Sequence, residues 1–306
     1  MDWVVLSLIS ALFLGFYDLS NKHALRDNAV LPVIFFATLS SAFIWSVLIV
    51  IQRAAPHSLP RMFVVDPLTP HQHLLLFTKS VIVGASWIFN YFGIKHLPLS
   101  LASPIRATGP LWTLAGAVIV LQERPNAAQC IGIGTTLLSF LALSLAGRQE
   151  GVHFHRDKWV GFMVVGTVLG ALSSLYDKFL LGSMKFPASA VQAWFSIYLV
   201  VVFFPLAIGW QRRWWPRNVF YWRWSIPCIG LVLLVSDYAY FTALSDAEGL
   251  VSVVAGIRRG STLVAFAGGL YFFNETNGLK KLPAVLGVMA GIILTIVGPR
   301  LHLFSP

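Results

Sequence analysis

The chain has 306 residues, of which 57% are apolar and only 11% are charged, and its mean hydropathy is +0.75. Soluble globular domains carry about 25% charged residues, so this composition excludes that class and indicates an integral membrane protein. The net charge of +10 could suggest a nucleic-acid partner. In a chain this apolar, basic loops that face anionic lipid headgroups are the expected cause, and we expect no nucleic acid.

Ten long apolar windows follow one another, bounded by charged, proline and glycine residues. A helix needs about 20 residues to cross the hydrocarbon core, and continuous apolar runs differ from the alternating pattern of barrel strands. Each window therefore predicts one transmembrane helix. The ten predicted spans are 3–25, 31–52, 73–95, 99–121, 128–147, 159–182, 189–209, 224–244, 250–273 and 282–299. We expect an all-α, multi-pass integral membrane protein, located in the plasma (inner) membrane.

The two halves of the chain carry the same three features in the same order: an aromatic pair, an arginine and a glutamate. These are Tyr91-Phe92, Arg106 and Glu123 in the first half, and Tyr240-Phe241, Arg258 and Glu275 in the second. In each half the glutamate follows the arginine by 17 positions. Because five helices is an odd number, two such halves insert with opposite orientation, as in inverted-repeat transporters. We expect five-helix repeats over residues 1–148 and 149–306.

Ten spans in two such halves resemble the drug/metabolite transporter superfamily, in its EamA-like branch. The residues that carry the resemblance are the two Tyr-Phe pairs and the acidic segments Leu121-Gln122-Glu123-Arg124-Pro125 and Phe273-Asn274-Glu275. The resemblance covers nearly the whole chain. It implies export or exchange of small metabolites such as amino acids, drugs, sugar phosphates or nucleotide sugars, and hence a transporter that is not an enzyme.

Nine Asp, Lys and Arg side chains lie in the predicted spans away from the end residues, where each is expensive and marks a functional-site hypothesis. They are Asp18, Lys22, Lys79, Arg106, Asp177, Lys178, Asp237, Arg258 and Arg259. Six cations against three acids leave an excess of positive charge, which favours an anionic guest. We predict substrate binding by Lys79, Arg106, Arg258 and Arg259, and charge pairing or coupling by Asp18, Asp177, Lys178 and Asp237.

Helix rise places these charges in two layers. Counted from the side that holds the N-terminus, Lys79, Asp237 and Arg258 lie roughly 9 to 12 Å deep and can share one layer. Asp18 and Arg106 fall toward the other side. Pro104 and Pro110 on either side of Arg106 are expected to break or kink the fourth span. Around Arg258 there is no proline, but Gly256 and Gly260 allow another backbone to approach closely.

Several other residues are weighed as cavity or structural positions. We predict cavity lining by Trp87, Asn90, Tyr91 and Tyr240, although aromatic residues at such positions also form ordinary core or interface belts. Lys178 near a span end can equally anchor the interface, and Asp18 can simply neutralise Lys22. The two glutamates are expected to help cap the helices that follow, at Asn126 and Asn277. Cys130 and Cys228 lie in apolar windows, and the loop residues His153 and His155 have no cysteine nearby. We therefore expect no metal or other cofactor.

The leading function is a secondary transporter, an exporter or exchanger, that moves a small anionic or zwitterionic metabolite by alternating access. A second hypothesis is a transporter whose substrate has the opposite charge, so that the acids bind a cationic drug or amine with help from aromatic rings. A third is a membrane enzyme or translocator that acts on a lipid phosphate. The histidines form no recognisable catalytic set, which disfavours an enzyme. The expected partners are a small-molecule substrate and membrane lipids, and the oligomeric state stays open.

Overall fold

The computed structural model describes residues 2–55, 58–96, 105–106, 108–145, 158–214, 219–272 and 278–297. Every regular element in these ranges is helical. The α-helices are α1 (Trp3–Leu25), α2 (Val30–Ala54), α3 (Pro70–His96), α4 (Gly109–Val120), α5 (Ala127–Leu145), α6 (Lys158–Lys178), α7 (Ala188–Gln211), α8 (Ser225–Ser245), α9 (Val251–Arg258), α10 (Ser261–Phe272) and α11 (Gly278–Val297). A 3₁₀ turn covers Arg61–Phe63, and a π-helical turn, Phe179–Ser183, extends α6.

Six of these helices are long and apolar enough to cross a membrane: α1, α2, α3, α6 with its π-helical extension, α7 and α8. Their outward faces carry large apolar side chains, such as Phe43 at 67% exposure and Val50 at 63%. Such faces are unfavourable in water and suit lipid, which explains why periodic polar faces are missing from the sequence. The prediction of an all-α, multi-pass membrane protein is confirmed at this level.

Two of the predicted spans are divided by breaks. In the fourth, Ile105 and Arg106 are helical, and α4 begins at Gly109 with Pro110 in its first turn. In the ninth, α9 ends at Arg258 and α10 begins at Ser261, a break that the sequence analysis did not predict.

The break in the ninth span arises without a proline. The backbone N–H groups of Arg259 and Gly260 donate to the carbonyls three residues earlier, those of Gly256 and Ile257, at 3.1 and 2.9 Å. This tightening ends the α-helical pattern, as commonly happens at helix ends. It leaves Arg259 in the connection between two helical segments.

The helices pack in a regular scheme of pairs. α1 packs on α8, on α9 and on α10; α3 packs on α6 and α7; α2 packs on α7 and α8; α4 packs on α6 and α9; and α5 packs on α11. The approach of α2 to α8 is especially close, because a side chain at Gly230 would collide with the Ala37 backbone. Ser41 fixes this contact by donating its hydroxyl to the Gly230 carbonyl at 2.7 Å. The largest apolar core cluster joins α3, α6, α7, α8 and α9.

Candidate functional site

A buried ion pair joins α3 to α6. Lys79 Nζ donates to the Asp177 carboxylate, and the two side chains are 1% and 5% exposed. Lys79 Nζ also lies over two aromatic rings, 4.3 Å from the Phe195 centroid and 4.7 Å from the Phe241 centroid. Burying an isolated charge in such surroundings costs free energy, and the opposite charge of the partner offsets this cost for each side chain. The rings add a cation–π attraction to the ammonium group.

A second ion pair joins α8 to the end of α9. Arg258 Nη2 donates to Asp237 Oδ1 at 2.9 Å, and a longer contact of 3.5 Å reaches Ser236 Oγ. The guanidinium lies 4.1 Å from the centroid of the Tyr240 ring. Ser236 in turn donates to the Ser10 carbonyl of α1 at 2.8 Å. Arg258 is thus held by α8 and α1, but its buried Nε has no hydrogen-bond partner among the described residues.

The two ion pairs are neighbours. Asp177 lies near enough to Asp237 and Arg258 to interact electrostatically with both, and Asp237 also interacts with Lys79. The structure therefore brings together Lys79, Asp237 and Arg258, which the sequence analysis placed in one layer. It adds Asp177 as the direct partner of Lys79. We call these four residues the charge quartet.

A second charged group gathers at the two helix breaks. Asp18 of α1 lies within electrostatic range of Arg106, Arg259 and Arg258. The Arg259 guanidinium lies against Gly109, where a Cβ atom would be only 2.8 Å from Nη2, so this glycine leaves room for it at the start of α4. Arg259 Nε is buried and has no hydrogen-bond partner in the described parts of the chain. We call Asp18, Arg106 and Arg259 the arginine group.

Taken together, the charge quartet and the arginine group hold four cations and three acids. The cations are Lys79, Arg106, Arg258 and Arg259, and the acids are Asp18, Asp177 and Asp237. The formal balance is one excess positive charge, without Lys22, whose side chain lies outside the described part. The two ion pairs account for Lys79 and Arg258, so the excess falls on the arginine group.

A cavity opens beside these charges, between α1, α2, α3, α7 and α8. It holds about 450 Å³ of space free of protein atoms, its open side included. Apolar side chains such as Ile34, Leu199 and Leu234 form much of its wall. The polar side chains that line it are Tyr17, Asn21, Thr38, Ser41, Tyr91, Gln192, Ser196 and Asp237. Asp237 therefore belongs to both the cavity and the charge quartet.

Of these polar residues, Asp237 and Tyr91 were singled out from the sequence. Gln192, Ser196, Thr38 and Ser41 are uncharged and lie in long apolar runs, where hydroxyl and amide side chains commonly serve helix–helix packing. A glutamine in the middle of an apolar span was the one available signal, and it is weaker than a charge. Their common wall appears only when α2 and α7 are placed side by side.

The four uncharged residues that were predicted to line the cavity have different surroundings. Tyr91 does line it, and its hydroxyl lies 2.9 Å from that of Tyr17. Trp87 does line it, stacked on Phe203 with ring centroids 6.1 Å apart. Asn90 donates to the Ser86 carbonyl at 2.9 Å and lies against Gly166 of α6, which places it in the contact between α3 and α6. Tyr240 is 3% exposed and supports the Arg258 guanidinium.

Lys178 points away from the charge quartet. Its ammonium group donates to three backbone carbonyls at the end of α8 and in the following turn, those of Leu244, Asp246 and Gly249, at 3.2, 3.0 and 2.7 Å. It thereby satisfies carbonyls that a helix end leaves without partners. In this arrangement Lys178 ties α6 to the connection between α8 and α9.

Glu123 acts on the same connection. Its carboxylate accepts from the backbone N–H of Val251 at 2.8 Å and from the hydroxyl of Ser252 at 2.8 Å, and so caps the start of α9. The expectation that it helps to cap the following helix is therefore wrong. Asn126 and Gln129 cap α5 by exchanging backbone-to-side-chain hydrogen bonds of 2.9 and 2.8 Å. The positions of Glu275 and Asn277 lie outside the described residues.

Comparisons with known proteins agree with this architecture. Residues 1–145 match the sequence model of the EamA-like transporter family. Solute carrier family 35 member E4 of Rattus norvegicus is 30% identical over 137 residues, which are 45% of this chain and 34% of that protein. The match therefore spans about a third of the length of this curated relative.

A solved crystal structure shares the fold of nearly the whole chain. It has a TM-score of 0.76 with this protein and covers 99% of both chains at 14% sequence identity. At that identity the likeness concerns the fold alone. The family match, the solute carrier relative and the apolar helices lead to one conclusion: the chain is a multi-pass membrane protein whose first 145 residues are similar to the EamA-like transporter family.

Proposed function

We propose that this protein is a secondary transporter that exports or exchanges a small anionic or zwitterionic metabolite by alternating access. The observation that carries the proposal is the arginine group at the two helix breaks. Among the residues that the structure describes, the buried Arg259 Nε–H has no acceptor, and Asp18 is the acid that interacts with Arg106 and Arg259. A carboxylate or phosphate supplies both the missing charge and the missing acceptors. Guanidinium groups suit these ligands because their planar fork donates two parallel hydrogen bonds.

The proposal includes ten membrane-spanning segments in two inverted five-helix repeats, with α9 and α10 together forming the ninth. The helix packing supports this. In such a repeat α1, α2 and α3 correspond to α6, α7 and α8. The contact between α1 and α8 then corresponds to the contact between α6 and α3, and the contact between α2 and α8 corresponds to the contact between α7 and α3. Both members of each pair occur. The contact of α1 with α9 and α10 likewise corresponds to that of α6 with α4.

The charges support the same equivalence. Asp18 of α1 interacts with Arg106 before α4, and Asp177 of α6 interacts with Arg258 at the end of α9. Each half thus contributes one acid from its first helix and one arginine from its fourth segment. Broken segments that face each other near the middle of the membrane are typical of binding sites in inverted-repeat transporters.

In the proposed cycle, the guest binds to the arginine group and reaches the cavity beside it. Asp177 and Asp237 neutralise Lys79 and Arg258 while the guest is absent, because unpaired buried cations are costly. When the guest supplies negative charge, one of these ion pairs can open. The two acids are therefore our candidates for coupling transport to a proton or to a counter-substrate.

One observation favours a second candidate, an exporter of cationic amines. The cavity presents the Asp237 carboxylate together with the aromatic rings of Trp87, Tyr91 and Phe195. A carboxylate beside aromatic faces is a suitable setting for an ammonium group. The excess positive charge nearby opposes it, which is why the anionic or zwitterionic guest is preferred.

A thermal-shift screen of the purified protein separates the two candidates, since a ligand that binds the folded state raises its melting temperature. The panel contains carboxylates, phosphates, amino acids and amines. We expect carboxylates, phosphates or amino acids to stabilise the wild type, and Arg259→Gln to remove that effect. Arg53→Gln, at the exposed end of α2, is the matched control and should respond like the wild type. Stabilisation by amines alone, unaffected by Arg259→Gln, would reject the anionic guest.

A further inference from the structure

The hydroxyl groups in the cavity wall direct their protons away from the cavity. Thr38 donates to the Phe35 carbonyl at 2.9 Å, and Ser196 donates to the Gln192 carbonyl at 2.8 Å. Ser41 donates to the Gly230 carbonyl, as described above. A hydroxyl has one proton and two lone pairs, so each of these groups is left with acceptor capacity only.

The hydroxyl protons of Tyr17 and Tyr91 are likewise donated to protein groups. Tyr91 donates to Asn21 Oδ1 at 3.2 Å, and the hydroxyls of Tyr17 and Tyr91 are 2.9 Å apart. Since Tyr91 has given its only proton to Asn21, Tyr17 must donate to Tyr91. With the Asp237 carboxylate added, the polar part of the cavity wall consists mainly of hydrogen-bond acceptors.

Gln192 provides a buried acceptor that is unused, because its side-chain oxygen has no hydrogen-bond partner among the described residues. The residue is 2% exposed and lines the cavity from α7. An unsatisfied buried amide oxygen is costly, and native proteins seldom keep one without a reason. A ligand that brings a donor to this oxygen would remove the cost.

We propose that Gln192, with the hydroxyl oxygens of Thr38, Ser41 and Ser196, binds a hydrogen-bond donor of the substrate, either a hydroxyl or an ammonium group. This assignment rests on the proposed transport function and adds a second pole to it. The arginine group binds the acidic end of the substrate, and the acceptors around Gln192 bind a donor elsewhere on the same molecule. Gln192 is then a residue that determines substrate specificity.

The chain contains a matched control for this role. Gln52 of α2 is a structural glutamine, because its Nε2 donates to the Val65 carbonyl at 3.0 Å and its Oε1 accepts from the Val65 N–H at 2.8 Å. Replacement of Gln52 by leucine removes two satisfied hydrogen bonds. Replacement of Gln192 by leucine removes an unsatisfied oxygen. The two substitutions are chemically identical, but only Gln52→Leu should lower the melting temperature.

The first measurement therefore uses no ligand. We expect Gln52→Leu to lower the melting temperature of the purified protein, and Gln192→Leu to leave it unchanged or raise it by roughly 2–4 °C. A purely structural role for Gln192 would instead make both variants less stable. A fall with Gln192→Leu as large as that with Gln52→Leu overturns the proposal.

The second measurement uses three acids of nearly equal shape: leucine, 2-hydroxy-4-methylpentanoate and 4-methylpentanoate. They share the carboxylate and the apolar tail and differ in the group at the second carbon, which is an ammonium, a hydroxyl or no donor. We expect the wild type to be stabilised more by an acid that carries a donor than by 4-methylpentanoate. Gln192→Leu should reduce this difference tenfold or more in apparent affinity. A preference for leucine or for the hydroxy acid identifies the donor.

Equal responses of the wild type to all three acids, including no response, overturn the assignment of Gln192. So does a donor preference that survives in Gln192→Leu. Failure of the transport proposal is distinguishable, because it is read from Arg259→Gln. If all three acids stabilise Arg259→Gln as well as the wild type, the arginine group does not bind the acidic end, whatever the result at Gln192.

Discussion

Lys79 of α3 and Asp177 of α6 form an ion pair that is almost fully enclosed, with Phe195 and Phe241 covering the ammonium group. The pair joins the third helix of the first half to the first helix of the second half. It lies beside Asp237 and Arg258, so a change in one pair alters the electrostatic surroundings of the other. Because this contact between the halves depends on charge, the ion pair is suited to breaking and re-forming during the proposed transport cycle.

This pair should be strongly coupled in stability. Asp177→Asn leaves Lys79 buried and without its charged partner, and breaking one side of a buried pair costs about 3–5 kcal/mol. The double variant Lys79→Met with Asp177→Asn removes both charges and should recover most of that loss. Melting temperatures of the two single variants and the double variant measure the coupling. Additive losses would mean that the two groups do not interact.

Depth along a helix was predictable from the sequence, whereas the pairing of the charges was not. Helix rise alone placed Lys79, Asp237 and Arg258 at one level, and they are neighbours. The partner of Lys79 depends on the rotation of α3 and α6 about their axes, which the apolar runs leave undefined because they show no polar face. Asp177 was therefore predicted as a charge-pairing residue without being assigned to Lys79.

Other features were beyond reach of the sequence because they depend on contacts between distant segments. Glu123 caps α9, which begins 128 residues later in the chain. No proline near Arg258 indicates in the sequence that the helix breaks there. The cavity wall around Gln192 forms from α2 and α7, and neither helix carries a motif that marks it.

Lys178 should contribute to stability more than to ligand binding. Lys178→Met keeps the length of the side chain but leaves the carbonyls of Leu244, Asp246 and Gly249 without this donor. We expect a loss of about 1.5–3 kcal/mol, in the range for hydrogen bonds to charged groups. The melting temperature should fall, while the concentration of ligand that gives half of the maximal shift stays within about twofold. Exposed Lys185→Met, a few residues further along, is the control.

Glu123 should act through the start of α9. Glu123→Ala removes the acceptor for the Val251 N–H and for the Ser252 hydroxyl, and loss of a helix cap costs about 0.5–2 kcal/mol. Ser252→Ala removes only one of these bonds and should cost less. The order can be measured by thermal unfolding of the two variants. If Ser252→Ala were the more destabilising, the cap would not depend on Glu123.

The proposed inverted repeat predicts which loops lie on opposite sides of the membrane. With two five-helix halves of opposite orientation, the connection between α2 and α3 and the connection between α7 and α8 lie on opposite sides. Met62→Cys and Arg212→Cys place single thiols in them, in a background where Cys130 and Cys228 are replaced by serine. A membrane-impermeant thiol reagent applied to intact cells should label one of the two and not the other. Labelling of both from the same side would contradict the repeat.

The proposed function requires that the arginine group binds the acidic end of the transported molecule. Counterflow into proteoliposomes that contain the wild type or Arg259→Gln tests this binding, with the best ligand from the thermal-shift panel as the labelled species. Loss of a charged hydrogen bond of about 1.5–3 kcal/mol corresponds to a fall in apparent affinity of roughly tenfold or more. We predict that loss for Arg259→Gln, with Arg53→Gln unchanged. Wild-type counterflow by Arg259→Gln at the same ligand concentrations would contradict the account.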